Sequence, residues 1–212
     1  MPRTSDIAFW DRIAPSYAAK PIGNMTAYDA TLARVRAHLT PADRVLELGA
    51  GTGSTALRLA PLVASYTATD ASAGMVEIAE TKRRDAGQAN LTIHRAEIDA
   101  AHHGGAPYDV VMAFNLLHLV PDLDVALAEI AEMLPSGGRF ITKTPCLRET
   151  VMMRVMTRTL VPAMRMLGKA PNVLRFSIAE FDAALERAGL RAIETGLYPA
   201  STSSRFVVAV KR

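Results

Sequence analysis

The residues able to do chemistry in this chain gather in a few short stretches. Glu47-Leu48-Gly49-Ala50-Gly51-Thr52-Gly53 sets three glycines at alternate positions straight after an apolar run. Glycine permits a tight turn and lets backbone approach a ligand closely. In open sheets built from alternating strands and helices, ligands bind just outside the carboxyl ends of the strands. The dinucleotide fingerprint requires a glycine three residues after its second glycine. Counted from Gly49 and Gly51, that position is Ser54, so the run reads E-x-G-x-G-x-G instead. A simple strand–helix turn is the alternative use of such a triplet. Asp70 ends the next β-rich stretch. A carboxylate beside the glycine turn can accept both hydroxyls of a ribose, which implies a nucleoside without naming it. Its alternative is a helix cap.

His118 is the candidate general base, since histidine exchanges a proton near neutral pH. A hydrogen-bonded structural histidine at an apolar helix start is the competing use. His102 and His103 lie together in a glycine-rich loop, but no third ligand accompanies them, so no metal is expected. Cys146 is the only cysteine, so no internal disulfide can form. That suits a reducing compartment and an expected cytoplasmic location. It serves equally as buried apolar filling or as pocket wall.

Elements of alternating type must position these groups. Short β-rich runs at 44–48, 65–69, 91–95, 108–114 and 139–143 read as strands. Helical spacing marks 26–38, 54–62, 73–86 and 122–134, with Ser72 placed to cap the third. This rhythm predicts a doubly wound α/β fold with a mostly parallel sheet covered on both faces. Near the end, Ser177 caps a helix over 178–188, and Gly189 stops it. Two strands follow near 191–195 and 205–210, the second able to pair antiparallel. One domain over 1–212 is expected. It comprises a helical cap (1–40), a core (41–145), an inserted helical lid (146–176) and a closing helix with two strands (177–212). The chain is half hydrophobic and 21% charged over 212 residues, which excludes a disordered or repetitive protein.

The charge is uneven. Segment 143–175 holds seven basic residues against Glu149 alone, a net +6, and leaves the rest of the chain at −3. A single local block is weak evidence for nucleic-acid binding by the whole domain, and no nucleic-acid partner is expected. Five of the ten methionines fall in the same segment: Met152, Met153, Met156, Met164 and Met166. At helical spacing, Arg154, Arg158, Arg165 and Lys169 lie within about 60° of one another. Met152, Met156, Leu160, Met164 and Leu167 lie on the other side. A packed lid helix with a solvated basic face is one use of this pattern. The others are an adaptable wall for a hydrophobic substrate, with Met152 and Met156 facing inward, and a docking face for anionic lipid.

Several motifs together resemble the class I S-adenosylmethionine-dependent methyltransferases. They are Val45 through Gly53; Thr69-Asp70-Ala71-Ser72 before a helix; Arg95-Ala96-Glu97; Phe114 through Asp122; and Leu134-Pro135-Ser136-Gly137-Gly138. Their order and spacing match the family over roughly residues 40–145. Phe9-Trp10-Asp11-Arg12-Ile13-Ala14-Pro15-Ser16-Tyr17 is similar to the opening segment of the small-molecule branch, which includes quinone and lipid methyltransferases.

The resemblance implies a seven-stranded Rossmann-like sheet with the last strand antiparallel. It implies S-adenosylmethionine as cofactor and S-adenosylhomocysteine as product. Glu47, Gly49, Ala50, Gly51, Gly53, Asp70, Ala71, Met75, Ala96, Glu97, Ile98, Asn115 and Leu116 are the cofactor residues so implied. Glu47 would help hold the turn and the cofactor's methionine end. Glu97 stands where the family places an acid near the adenine amino group. This chain has Glu for the commoner Asp, and Ala96 for Gly, so Ala96 or Ile98 is an alternative adenine contact. A solvated loop acid is the other use of Glu97. Phe9, Trp10 and Tyr17 would close over the cofactor, or else form an aromatic staple on the sheet. The Asn/Asp-Pro-Pro-Tyr signature of N-methylating relatives is absent, and Asn115-Leu116-Leu117-His118 takes its place.

The expected reaction is in-line methyl transfer to a small organic acceptor, a lipophilic one among the candidates. The protein would supply mainly proximity and a dry pocket. Two rivals remain. One is a non-catalytic nucleoside- or partner-binding module on the same fold. The other is an NAD-dependent oxidoreductase, disfavoured by Ser54 and the lack of a Tyr-x-x-x-Lys pair.

Overall fold

A computed structural model describes residues 4–98 and 105–212. Two helices, α1 (Thr4–Ala19) and α2 (Met25–Arg36), precede β1 (Arg44–Leu48). Then come α3 (Ser54–Leu59), β2 (Ser65–Asp70), α4 (Ala73–Asp85), β3 (Leu91–Arg95), β4 (Val110–Phe114), α5 (Leu123–Glu132) and β5 (Arg139–Pro145). The chain closes with α6 (Val151–Met166), α7 (Ile178–Arg187), β6 (Leu190–Leu197) and β7 (Ser204–Lys211).

The seven strands form one sheet in the order β3-β2-β1-β4-β5-β7-β6. The first five are parallel, and β7 runs antiparallel to both β5 and β6. This is the expected Rossmann-like α/β sheet. The connections leave β1 in opposite directions, toward β2 and β4, so the switch point lies between β1 and β4. The glycine turn follows β1 and Asn115 follows β4, which sets both beside that point.

The strands β1 and β4 are buried on both faces, which is why β4 reads as an unbroken apolar run and β1 as one broken within the buried stretch only by Glu47. On one face Val45, Tyr66, Val110, Met112 and Ile141 pack under α2 and α3. On the other, Leu46, Leu48, Val111 and Phe140 pack under α5 and α7. The helix expected over 54–62 keeps its α-helical pattern only to Leu59, then tightens into a 3-10 turn over Ala60–Leu62. Pro61 has no N–H to continue the ladder. Ser72 and Ser177 both cap as expected, the latter in a reciprocal box with Glu180.

Gly53 holds φ +73° at the start of α3, and a Cβ there would stand 2.9 Å from the Ala79 Cβ on α4. Neither the backbone angle nor the rigid neighbour can give way cheaply. Gly53→Ala is therefore expected to lower unfolding free energy by about 1–3 kcal/mol, measured by urea titration. An unchanged midpoint would mean that the turn reshapes freely.

The methionines of α6 depart from expectation. Met152 is 77% exposed and Met156 44% exposed, so neither faces inward as an acceptor wall. The inward side of α6 carries Met153 and Thr157 instead, with Ser203 Oγ donating to Met153 Sδ at 3.2 Å. The reason is geometric. The helix is apolar on two sides, and spacing alone does not say which side meets the sheet.

Candidate active site

The glycine turn is a built structure rather than a loose loop. Gly49, Gly51 and Gly53 all adopt positive φ. Ala50 N donates to Thr69 O at 2.9 Å, and Gly53 N to Ala50 O at 3.1 Å. At Gly49 the missing Cβ makes room for Leu116, whose Cδ1 would otherwise lie 2.8 Å from it. Asp70 ties the turn to the next helix: its Oδ2 accepts from Gly51 N and its Oδ1 from Ser72 N, both at 2.9 Å. Burial pushes this carboxyl up, the two amides oppose that, and the neighbouring Asp11 adds a smaller upward push. Each carboxylate oxygen can accept a further bond, which leaves Asp70 capacity for a diol.

Glu47 lies beneath the turn, buried, with Tyr66 Oη donating to its Oε2 at 2.9 Å. Burial, and to a lesser degree Asp70, raises it to about 8 against the Tyr66 bond. The N-terminal helix is fastened here too. Asp11 Oδ1 accepts from Ser72 Oγ at 2.6 Å and from Gly74 N at 3.1 Å, and these bonds hold its carboxyl below the usual range. Gly74 allows that approach, with Ala14 of α1 directly over it.

Glu47, Gly49, Gly51, Asp70 and Ser72 border a cavity of about 610 Å³ over the carboxyl edge of the sheet. It extends to both sides of the sheet. On the α5 side stand Ile98, Leu116 and Val125; on the α2 side stand Tyr28, Thr55 and Phe114. Most of the expected cofactor residues border it: Glu47, Gly49, Ala50, Gly51, Asp70, Ala71, Met75, Ala96, Glu97, Ile98, Asn115 and Leu116. Glu97 Oε2 is buried and has no hydrogen-bond partner among the described residues, so an acceptor waits on the wall. Asn115 holds φ +54°, with its N–H donating to Lys143 O at 2.7 Å.

Five expected residues stand elsewhere. Gly53 packs on α4, and Met152 and Met156 face solvent. Phe9 stacks edge-on against Trp10 at 5.3 Å behind the wall, whereas Trp10 and Tyr17 border the cavity. His118 is the main correction. It does not border the cavity. Its Nδ1 is buried without a partner among the described residues, and its carbonyl accepts from Leu174 N at 2.7 Å. Burial pushes the ring down to about 4, so it is neutral at physiological pH. The backbone after β4 is tied to the 174 segment through this carbonyl, and the side chain is not among those that border the cavity.

Sequence reasoning passed over Asp11, Tyr28 and Pro171. An acid inside the aromatic stretch Phe9-Trp10-Asp11 was the available signal for the first. Tyr28 Oη and Thr55 Oγ1 share a hydrogen bond of 3.1 Å, a pairing that no local pattern announces. Among the described residues no three His, Cys, Asp or Glu side chains converge on a metal position. His102 and His103 lie outside those residues.

Residues 45–138 match the family described as "Methyltransferase domain". A hybrid PKS-NRPS synthetase of Macrophomina phaseolina is 31% identical over 180 residues, which is 79% of this chain and 4% of that protein. The chain thus spans a small part of the length of such relatives. Among solved structures, magnesium protoporphyrin IX methyltransferase of Synechocystis PCC 6803, with bound S-adenosylhomocysteine, superposes with a TM-score of 0.69. It is 19% identical, with 99% of this chain and 95% of that one covered. The cyclase SpnF superposes at 0.78, also 19% identical, with 99% and 96% covered. Likeness at that identity speaks for the fold alone. Taken with the family match across the glycine turn, Asp70 and Glu97, it shows that residues 45–138 are a methyltransferase domain, on the fold shared by S-adenosylmethionine-dependent methyltransferases.

Proposed function

We propose that the protein transfers the methyl group of S-adenosylmethionine to a small, largely apolar acceptor, as a cytoplasmic enzyme. The observation that carries this reading is the continuity of the cavity across the switch point. The residues fit the cofactor. Asp70 has spare acceptor capacity for a ribose diol, Glu97 Oε2 is a buried acceptor without a partner among the described residues and suits an exocyclic amine, and Glu47 can face an ammonium. The bound cofactor supplies an already activated methyl group. The chain's own residues then need to hold and shield the partners. Phe114, Ile22 and Trp10 offer apolar surface on the cavity wall, and the Tyr28–Thr55 pair offers the polar contact that would orient an acceptor.

Proximity, not a histidine base, drives the step in this reading. His118→Ala is expected to lower turnover by less than about threefold with cofactor affinity unchanged, because the neutral ring stands behind the wall. A hundredfold loss with the fold intact, the size usual for a lost general base, would return His118 to the mechanism. The acceptor is found by screening phenols, quinols, amines and lipids for release of S-adenosylhomocysteine. A second reading is cofactor binding without methyl transfer, since a protein named a cyclase, SpnF, shares this fold. Tight S-adenosylhomocysteine binding with no release from any acceptor class would support that reading.

A further inference from the structure

We propose that the outer face of α6 docks on an anionic lipid surface. On a helical wheel at about 100° per residue, Val151, Met152, Val155, Thr159, Pro162, Ala163 and Met166 share one side of α6. Met156 lies at its edge. All of them are exposed, and none is charged. A helix that packs on a core ordinarily turns its apolar stripe inward and its charges outward. This helix packs Met153 and Thr157 inward and still presents a second apolar side to solvent. Contiguous exposed apolar surface of this kind marks an interaction site.

Charge identifies the occupant. Arg154, Arg158 and Arg165 lie within about 40° of one another on the same wheel, along one edge of the exposed apolar side. Arg154 and Arg158 are exposed, and Arg165 donates to Asn172 Oδ1 at 3.0 Å. The helix contains no Asp or Glu, and Lys169 and Arg175 follow it. Apolar side chains beside a row of arginines match the boundary between acyl chains and phosphate headgroups. A second copy of the chain offers the same basic row and no acid on its α6 to meet it.

The docked face would sit beside the cavity. The Arg12 guanidinium of α1 donates to Gly168 O, and Asn172 N donates to Asp6 Oδ1 at 3.0 Å. Pro171, between those two anchors, borders the cavity. The surface does not depend on which acceptor is methylated, and no helix is long and apolar enough to cross a bilayer among the described residues.

The test is flotation of the full chain with vesicles of mixed phosphatidylglycerol and phosphatidylcholine, against phosphatidylcholine alone. Binding to the anionic vesicles should be at least about tenfold stronger and should weaken as salt rises from about 50 to about 500 mM. The double variant M152Q/V155Q alters only exposed side chains, so its melting temperature should hold while vesicle binding falls at least about tenfold. The pair R154Q/R158Q should erase the preference for anionic lipid. No binding at low salt, or binding that M152Q/V155Q leaves unchanged, overturns the proposal. So does a solution dimer that M152Q/V155Q splits without any vesicle binding, since a second copy is then the occupant.

Discussion

Asp70→Ala is expected to raise the dissociation constant for S-adenosylhomocysteine at least about thirtyfold. A carboxylate gripping a diol makes charge-assisted hydrogen bonds worth about 2–3 kcal/mol together, or roughly 30- to 150-fold in affinity. The same oxygens hold Gly51 N and Ser72 N, so the variant also leaves two turn amides without their acceptor. The two losses can be separated. A ligand lacking one ribose hydroxyl should bind wild-type protein more weakly, yet bind Asp70→Ala as well as the full ligand does. Calorimetry on that square of two proteins and two ligands reads the direct contact. If the missing hydroxyl matters equally in both proteins, Asp70 only shapes the turn.

Glu47→Gln is expected to be more stable than the wild-type protein without ligand, by a margin that grows with pH. Burial keeps the Glu47 carboxyl protonated up to about pH 8 in the folded chain. In the unfolded chain it ionises near about pH 4.3. Between those values the folded state binds the extra proton. Stability therefore falls as pH rises through that window, by about 1.4 kcal/mol per pH unit, and none of it is lost below about pH 4.3. Glutamine has no proton to lose and still offers an oxygen to Tyr66 Oη. The gap should be near zero at about pH 4 and reach roughly 3–5 kcal/mol at about pH 8, read from urea midpoints. A gap that does not change with pH would mean that water reaches the carboxyl. A ligand ammonium beside Glu47 would draw the proton off. Binding of S-adenosylhomocysteine near pH 7 should then release a proton in wild-type protein and none in Glu47→Gln, seen as heats that depend on buffer.

Much of the fold could be read because β1 and β4 are buried on both faces and so are rich in apolar residues between turn signals, with Glu47 the one break inside β1's buried stretch. The end of β1, the three glycines and Asp70 were legible for the same reason: turn chemistry is local. The failures share the opposite cause. His118 sits in a helix-like apolar context, but whether its ring meets the cavity is settled by the tertiary packing around it, which no local pattern announces. Met152 and Met156 share a stripe with the residues around them, yet spacing carries no information about which stripe meets the sheet. Tyr28–Thr55 and Asp11–Ser72 pair residues from elements that only the tertiary fold brings together. That Glu97 Oε2 is buried without a partner among the described residues is likewise a property of its surroundings, invisible in the residue type.

The place of β7 between β5 and β6 has a consequence for the chain as it is made. β5 is complete at Pro145, but the strand that covers its outer edge begins only at Ser204, and β6 has no partner before then either. At about 5–20 residues per second, the intervening stretch takes roughly 3–12 seconds to emerge. During that time an apolar edge that includes Phe140 and Ile141 stands open on an otherwise formed parallel sheet, a template for pairing with other chains. Phe206, Val207, Val208 and Ala209 are then buried together when β7 slots in. A nascent chain paused before Ser204 would be the aggregation-prone species, so expression yield should respond to translation speed across 146–203 more than to speed anywhere earlier.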